Sequence, residues 1–354
     1  MKDFLVIEDV LAEIPDDLMK QNIQFIHTLA LNPKKKVGFH AADADGIISA
    51  AILKSLPKYC EAVFIPLHYS QLKHPEYGAF LSGLNWLAIV DLPPFNYYTT
   101  ELYCDHHISN ISETKNASLV LYDQEAPSAA SILLSYFEKT QELSIDLRLL
   151  AELTEITDTY GYTSSPPMDL HNQFSESSKE EQAWLLDDLC RSLESTIEVL
   201  TLVETIVSMG LQIFEQDIYL NKIKSVRKRR ESAKEISNEI PVKDAIIIIQ
   251  GKKKIQTQAL IHYLFDKGVK FTCLLYPGNR FVGVSLRLGP LIPDKSLVKY
   301  RVDKIAEIFD GGGHPRAAGG RGTDLQKTLD IIIHYINKYN FSYDVVDFRD
   351  GLHQ

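Results

Sequence analysis

Three short apolar runs in the first 105 residues each stop on acids or histidines, and this recurrence constrains the fold most. "VGF" is followed by "HAADADG", which carries His40, Asp43 and Asp45. "WLAIV" is followed by Asp91, and "ELYC" by Asp105, His106 and His107. Between the runs lie helically patterned segments such as "GIISAAILKSL" (46–56). Short buried strands alternating with helices specify an α/β domain with a largely parallel sheet. Ligands of such sheets bind beyond the carboxyl ends of the strands. Three strands therefore deliver ionisable groups to one edge. A helical segment, "LAELTEIT", closes on a further acid, Asp158.

The rest of the chain repeats the pattern. Residues 34–40, 62–67, 86–92 and 100–105 read as strands, and 127–139 and 146–158 as helices. "SSPPMD" (164–169) is a break. From about 178 to 238 the pattern is helical and ends in the basic run "NKIKSVRKRRESAKE". A second α/β pattern follows, with strands at 244–250, 269–276 and 280–287, and helices at 257–268, 297–309 and 325–339. "GGGHPRAAGGRG" (311–322) reads as a glycine-rich loop. The expected architecture is a metal-binding domain over 1–165, a helical linker over 166–240 and a smaller α/β domain over 241–354. The tail after Tyr339 has no assigned structure.

Composition narrows the class. Of 354 residues, 45% are hydrophobic and 24% charged, as in ordinary globular proteins, and the apolar runs are strand-sized, so no membrane span is expected. The N-terminus lacks the basic-then-apolar order of a signal peptide. Cys60, Cys104, Cys190 and Cys273 are scattered without a CxxC pair, which suits a reducing cytoplasm and argues against a structural zinc site. The net charge of −10 opposes a long phosphate-neutralising grip. A polyanionic substrate would be short, or held locally by metal ions.

Taken singly, each motif has a plainer reading. "HAADADG" could be a cap and turn, Asp91 before "LPP" a turn residue, and Asp158 a surface acid. Their joint arrival at one sheet edge is what favours chemistry. Carboxylates with a few imidazoles and no thiolate suit Mn²⁺ or Mg²⁺, with Zn²⁺ or Co²⁺ as substitutes. Five or six such groups exceed the needs of one ion and match a two-metal site with a shared carboxylate.

"HAADADG", "AIVDLP", "CDHH" and "TDTYG", in this order, resemble the four motifs of the DHH phosphoesterase superfamily. "VSLR" followed by "GGGHPRAAGG" resembles the signature of the C-terminal domain associated with one of its subfamilies. The resemblance runs from about 35 to 340. Two residues separate His40 from Asp43, where many members have one or three. The resemblance implies two Mn²⁺ ions, one held by His40 and Asp43, the other by Asp45, His106 and Asp158, with Asp91 bridging. Asp105 would orient an imidazole, and His107 would face the substrate phosphate. It also implies an active site in the cleft between the two domains.

In the C-terminal signature, Gly311, Gly312 and Gly313 would let backbone N–H groups approach a phosphate. Arg287, His314 and Arg316 would add charge-assisted hydrogen bonds. The basic run Lys222–Arg230 has two readings: a guide for single-stranded nucleic acid or the solvated face of a helix.

The function expected is a two-metal phosphodiesterase or exonuclease that hydrolyses short or single-stranded RNA or DNA to mononucleotides. The alternatives are a 3′-phosphoadenosine-phosphate phosphatase or a cyclic-dinucleotide phosphodiesterase. A non-catalytic nuclease-fold scaffold ranks lower, because every expected metal position is filled. The expected partners are a nucleic acid or nucleotide, no membrane, and a second copy of the chain as a homodimer.

Overall fold

The apolar runs become strands because their Val, Ile, Phe and Trp side chains are buried on both faces of a sheet. The computed structural model describes residues 17–72, 75–93, 99–107, 116–159, 161–163, 174–251, 256–278 and 281–349. The expected break at 164–169 lies outside the described residues. The described chain divides into two compact units. One carries the elements up to Asp158 and the helices through Ser225; the other carries Val226 onward.

The first unit begins with α1 (Asp17–Ala30), β1 (Lys36–His40), α2 (Ala44–Ser55) and β2 (Val63–Leu67). Next come α3 (Tyr69–Leu72), α4 (Pro75–Ser82), β3 (Trp86–Val90), β4 (Thr100–Asp105) and β5 (Ala117–Tyr122). Helices α5 (Ala129–Phe137), α6 (Ile145–Asp158), α7 (Lys179–Arg191) and α8 (Thr196–Met209) follow. The strands form one parallel sheet in the order β2-β1-β3-β4-β5. Every residue of β1 and β3 is buried. One face packs on α2, α5, α6, α7 and α8 through Ile47, Leu133, Leu150, Trp184 and Leu202. The other packs on α1 through Ile23 and Ile26. Each such side chain stabilises the fold by roughly 1.5–3 kcal/mol over its exposed state. The strand order reverses between β1 and β3, which places the topological switch point at their carboxyl ends.

The expectation that no stretch approaches a membrane span needs one correction. Thr196–Glu215 is long and apolar enough by composition. Its inner face, with Val199, Leu202, Val203 and Ile206, belongs to the core of the first unit.

Helix α9 (Asp217–Glu239) leads into the second unit: β6 (Ala245–Ile249), α10 (Thr257–Asp266), β7 (Phe271–Pro277) and β8 (Val282–Leu288). Then come α11 (Leu297–Tyr300), α12 (Val302–Ala306), β9 (Gly312–His314), β10 (Ala317–Gly322), α13 (Leu325–Lys338) and β11 (Tyr343–Asp347). The mixed sheet runs β11-β6-β7-β8-β10-β9. Its core includes Ile247, Phe271, Leu286 and Ile336.

Four sequence expectations change here. The glycine-rich loop at 311–322 is mostly a β-hairpin, with Gly312 opposite Gly319 and Gly313 opposite Ala318. Glycine allows it: Gly313 has φ 139°, and a Cβ there would lie 2.5 Å from the Ala317 carbonyl oxygen. The single helix at 297–309 breaks at Arg301 (ψ 109°), whose guanidinium pairs with the buried Asp303 two residues on. Residues i and i+2 do not meet on a continuous helix. The tail after Tyr339 supplies β11, parallel to β6. In the basic run, Arg227 and Arg230 are buried and Lys222 pairs with Glu198, so the run is not a uniformly solvated face.

Candidate metal centre

Local structure explains how each acid arrives. His40 is the last residue of β1. Asp43 caps α2, accepting from the Gly46 N–H, and its other oxygen lies 3.1 Å from His40 Nδ1. Gly46 is required at the next turn because a Cβ there would lie 1.9 Å from the His40 carbonyl oxygen. Asp45 is buried in the first turn of α2. Its oxygens accept the Ala129 and Ala130 N–H groups at 2.7 and 2.8 Å, at the amino end of α5. That end favours negative charge.

Asp91 follows β3 with φ 51°, a left-handed conformation uncommon outside glycine. It lies 3.4 Å from His40 Nδ1 and 3.6 Å from His107 Nδ1. Asp105 ends β4. Its Oδ1 accepts the His106 and His107 N–H groups at 2.7 and 3.0 Å and contacts His107 Nδ1 at 2.9 Å. His106 Nδ1 faces the Ala126 carbonyl at 3.1 Å. Its Nε2 lies 3.1 Å from Asp158 and 3.6 Å from Asp45. Two clusters result, His40–Asp43–Asp91 and Asp45–His106–Asp158, and Asp91 also groups with Asp105, His106 and His107.

Protonation follows from this crowding. Burial opposes charge on His40, but Asp43 and Asp91 outweigh it and raise its pKa well above the usual value. Burial lowers His106 and His107 as well. Asp158 with Asp45 lifts the first to about 10, and Asp105 with Asp91 lifts the second to about 9. Burial pushes Asp91 up to about 6, with His40 opposing, and burial with Asp91 and Asp158 raises Asp45 further above its usual value. Burial and the surrounding carboxylates keep the Tyr69 hydroxyl protonated.

The donor set fits a divalent cation. Both oxygens of Asp91, Oδ2 of Asp158 and Nδ1 of His40 are buried and, among the described residues, meet ionisable neighbours without a well-aligned hydrogen bond. Buried polar atoms are normally bonded, so such a cluster calls for an explanation. If His106 donates Nδ1–H to the Ala126 carbonyl, Nε2 is left as the ligand atom, and Asp105 orients His107 in the same way.

In the second unit, Arg287 on β8 stands opposite Ala317, which stands opposite His314. Residues directly opposite share a sheet face, so the two basic side chains flank a small one in a single row. Gly312 and Gly313 lie on β9, an edge strand that pairs with β10 on one side. Arg316 donates to the carbonyls of Gly289 and Ile292 at 3.2 and 2.5 Å. Sequence reasoning missed the Asp45 anchor, Tyr103 and Tyr69. Tyr103 lies within hydrogen-bond distance of Asp105 Oδ2, at 2.8 Å. "FIPLHY" placed Tyr69 at a strand end, and the strand-end rule could have found it.

The fold is that of DHH-domain proteins. No protein-family model matches the chain, and no curated protein sequence does either. Among solved structures, the pGpG-specific phosphodiesterase PggH from Vibrio cholerae is similar, with TM-score 0.57 and 16% identity over 87% of this chain and 99% of that one. The DHH domain of PF0399, described as a member of a family of ribosomal proteins, gives 0.55 at 12% identity over 94% and 92%. An exopolyphosphatase-related protein from Bacteroides fragilis gives 0.50 at 15% identity over 92% and 98%.

Proposed function

We propose that the protein is a two-metal-dependent phosphodiesterase that hydrolyses short or single-stranded nucleic acid to mononucleotides. The observation that carries the reading is the buried Asp91 carboxylate, left without a hydrogen bond among the described residues, between two His–Asp clusters at the switch point of the sheet. His40, Asp43 and Asp91 would hold one Mn²⁺, and Asp45, His106 and Asp158 the other, with Asp91 shared. Mg²⁺ or Co²⁺ would serve in the same donor set. When bound, such a pair supplies Lewis acidity for water activation and offsets phosphate charge.

The chain's own groups do the rest. Asp105 and Asp91 raise the His107 pKa against its burial, and its Nδ1 is engaged by Asp105. Its other nitrogen is the donor to a non-bridging or leaving oxygen. Arg287 and His314 would read the anionic end of the substrate.

A second reading, a dinucleotide as substrate, is favoured by the similarity to a protein described as pGpG-specific. Both readings share the centre and differ in substrate length. The test is a product ladder: protein with Mn²⁺ on end-labelled RNA and DNA from dinucleotides to about thirty nucleotides, with a D105A/H106A control. Mononucleotide release that fails in the control supports the proposal. Cleavage confined to dinucleotides selects the second reading. No cleavage of any linear strand overturns both.

A further inference from the structure

The turn after β3 is held in an unfavourable shape by groups that no motif includes. Asp91 keeps its own N–H on the Cys104 carbonyl at 2.9 Å, then turns left-handed at φ 51°. Backbone strain of this kind persists only where surroundings over-determine it. Two tyrosines do so here. The Tyr69 hydroxyl donates to the Asp91 carbonyl at 3.3 Å, and the Tyr103 hydroxyl lies 2.9 Å from the next carbonyl, that of Leu92. The two carbonyls released by the turn therefore both meet a phenol.

Tyr69 does more than cap a carbonyl. Its ring lies 4.3 Å from the His40 ring, tilted by 44°, and edge-on to His107 at 6.4 Å. One side chain at the start of α3 thus contacts the backbone of Asp91 and the imidazole of His40, and approaches His107. Fixing the Asp91 peptide plane fixes the direction of its Cα–Cβ bond. That direction decides whether the carboxylate faces one cluster or both.

We infer that Tyr69 is the positioning residue that sets how the Asp91 carboxylate is shared between the two cation positions. The inference rests on the two-cation reading above. Tyr69→Phe removes the hydroxyl and keeps the ring against His40, so it separates backbone positioning from packing.

The experiment is electron paramagnetic resonance of Mn²⁺-loaded wild type and Y69F, with Mn²⁺ affinities from calorimetry and kcat and KM on a dinucleotide. Wild type with two equivalents should show an exchange-coupled spectrum. Y69F should keep the first ion, bind the second roughly ten- to a hundredfold more weakly, and revert to an uncoupled six-line spectrum at equal loading. Its kcat should fall with little change in KM. A Y69F protein with wild-type coupling and affinities overturns the assignment. An uncoupled wild-type spectrum removes the two-cation reading itself, and the inference with it.

Discussion

The candidate sites of the two units are built differently. In the first, Asp91, Asp158 and His40 bring buried atoms together without hydrogen bonds among the described residues. In the second, part of the glycine-rich segment is β-structure. Gly312 and Gly313 pair with β10, and Arg316 holds two carbonyls. The difference teaches where to look for chemistry. Buried carboxylates gathered at a left-handed turn mark the candidate metal centre, whereas a glycine-rich motif also serves strand pairing.

The sharpest way to break this contrast is at Asp91. Asp91→Ala should abolish hydrolysis, by at least about a thousandfold, while the fold stays intact by circular dichroism. Its unfolding temperature should not fall, because a strained, buried acid is removed. Retained activity would erase the distinction between the units.

Gly46→Ala tests the local scaffold. The added methyl must displace the His40 carbonyl, and a loss of about 3 kcal/mol in urea unfolding is expected. An unchanged midpoint would show that the strand end and helix start can move apart freely.

The pH dependence of the metal-free protein should also separate the units. Asp91, His106 and His107 all have folded pKa values raised above their unfolded ones. Groups of this kind stabilise most fully below the unfolded pKa, and the contribution is lost as pH rises through the folded value. The Asp91 share is lost largely below pH 6, and the two histidines should lower the unfolding temperature by a few degrees between pH 6 and pH 10. Mn²⁺, by displacing protons from the ligands Asp91 and His106, should reverse the drop. A rise with pH in the metal-free protein would contradict the assigned clustering.

The smallest effect belongs to the second unit. Asp244 is depressed to about 2 by Lys270 and by two bonds from Ser342, which tie β6 to β11. Stability from a depressed acid is present above the unfolded pKa and is lost as pH falls through the folded one. The group is partly exposed, so Asp244→Ala should cost only about 0.5–1 kcal/mol at pH 7 and clearly less near pH 2. An equal loss at both pH values would exclude the ionic cause.

Much of the first unit was legible because its signals are local. A buried strand reads as an apolar run, and the residue after it lies at the sheet edge by construction. That reasoning reached His40, Asp91 and Asp105 without any contact information. It missed β5, an edge strand whose residues are at best partly buried, and α1, whose Ile23 and Ile26 show their role only against the opposite sheet face. It could not see that Asp45 is anchored by Ala129 and Ala130, some 84 residues away. The glycine run misled because glycine fits a flexible loop and a close backbone pairing equally well. The break at Arg301 depends on one ion pair, which helical periodicity does not register.

The most direct test of the central claim is a crystal structure of the Mn²⁺-loaded protein with anomalous data at the manganese edge. Two peaks roughly 3.5–4 Å apart are expected, one at His40 and Asp43, the other at Asp45, His106 and Asp158, with the Asp91 carboxylate touching both. A single peak, or an Asp91 carboxylate turned away from the metal, would contradict it.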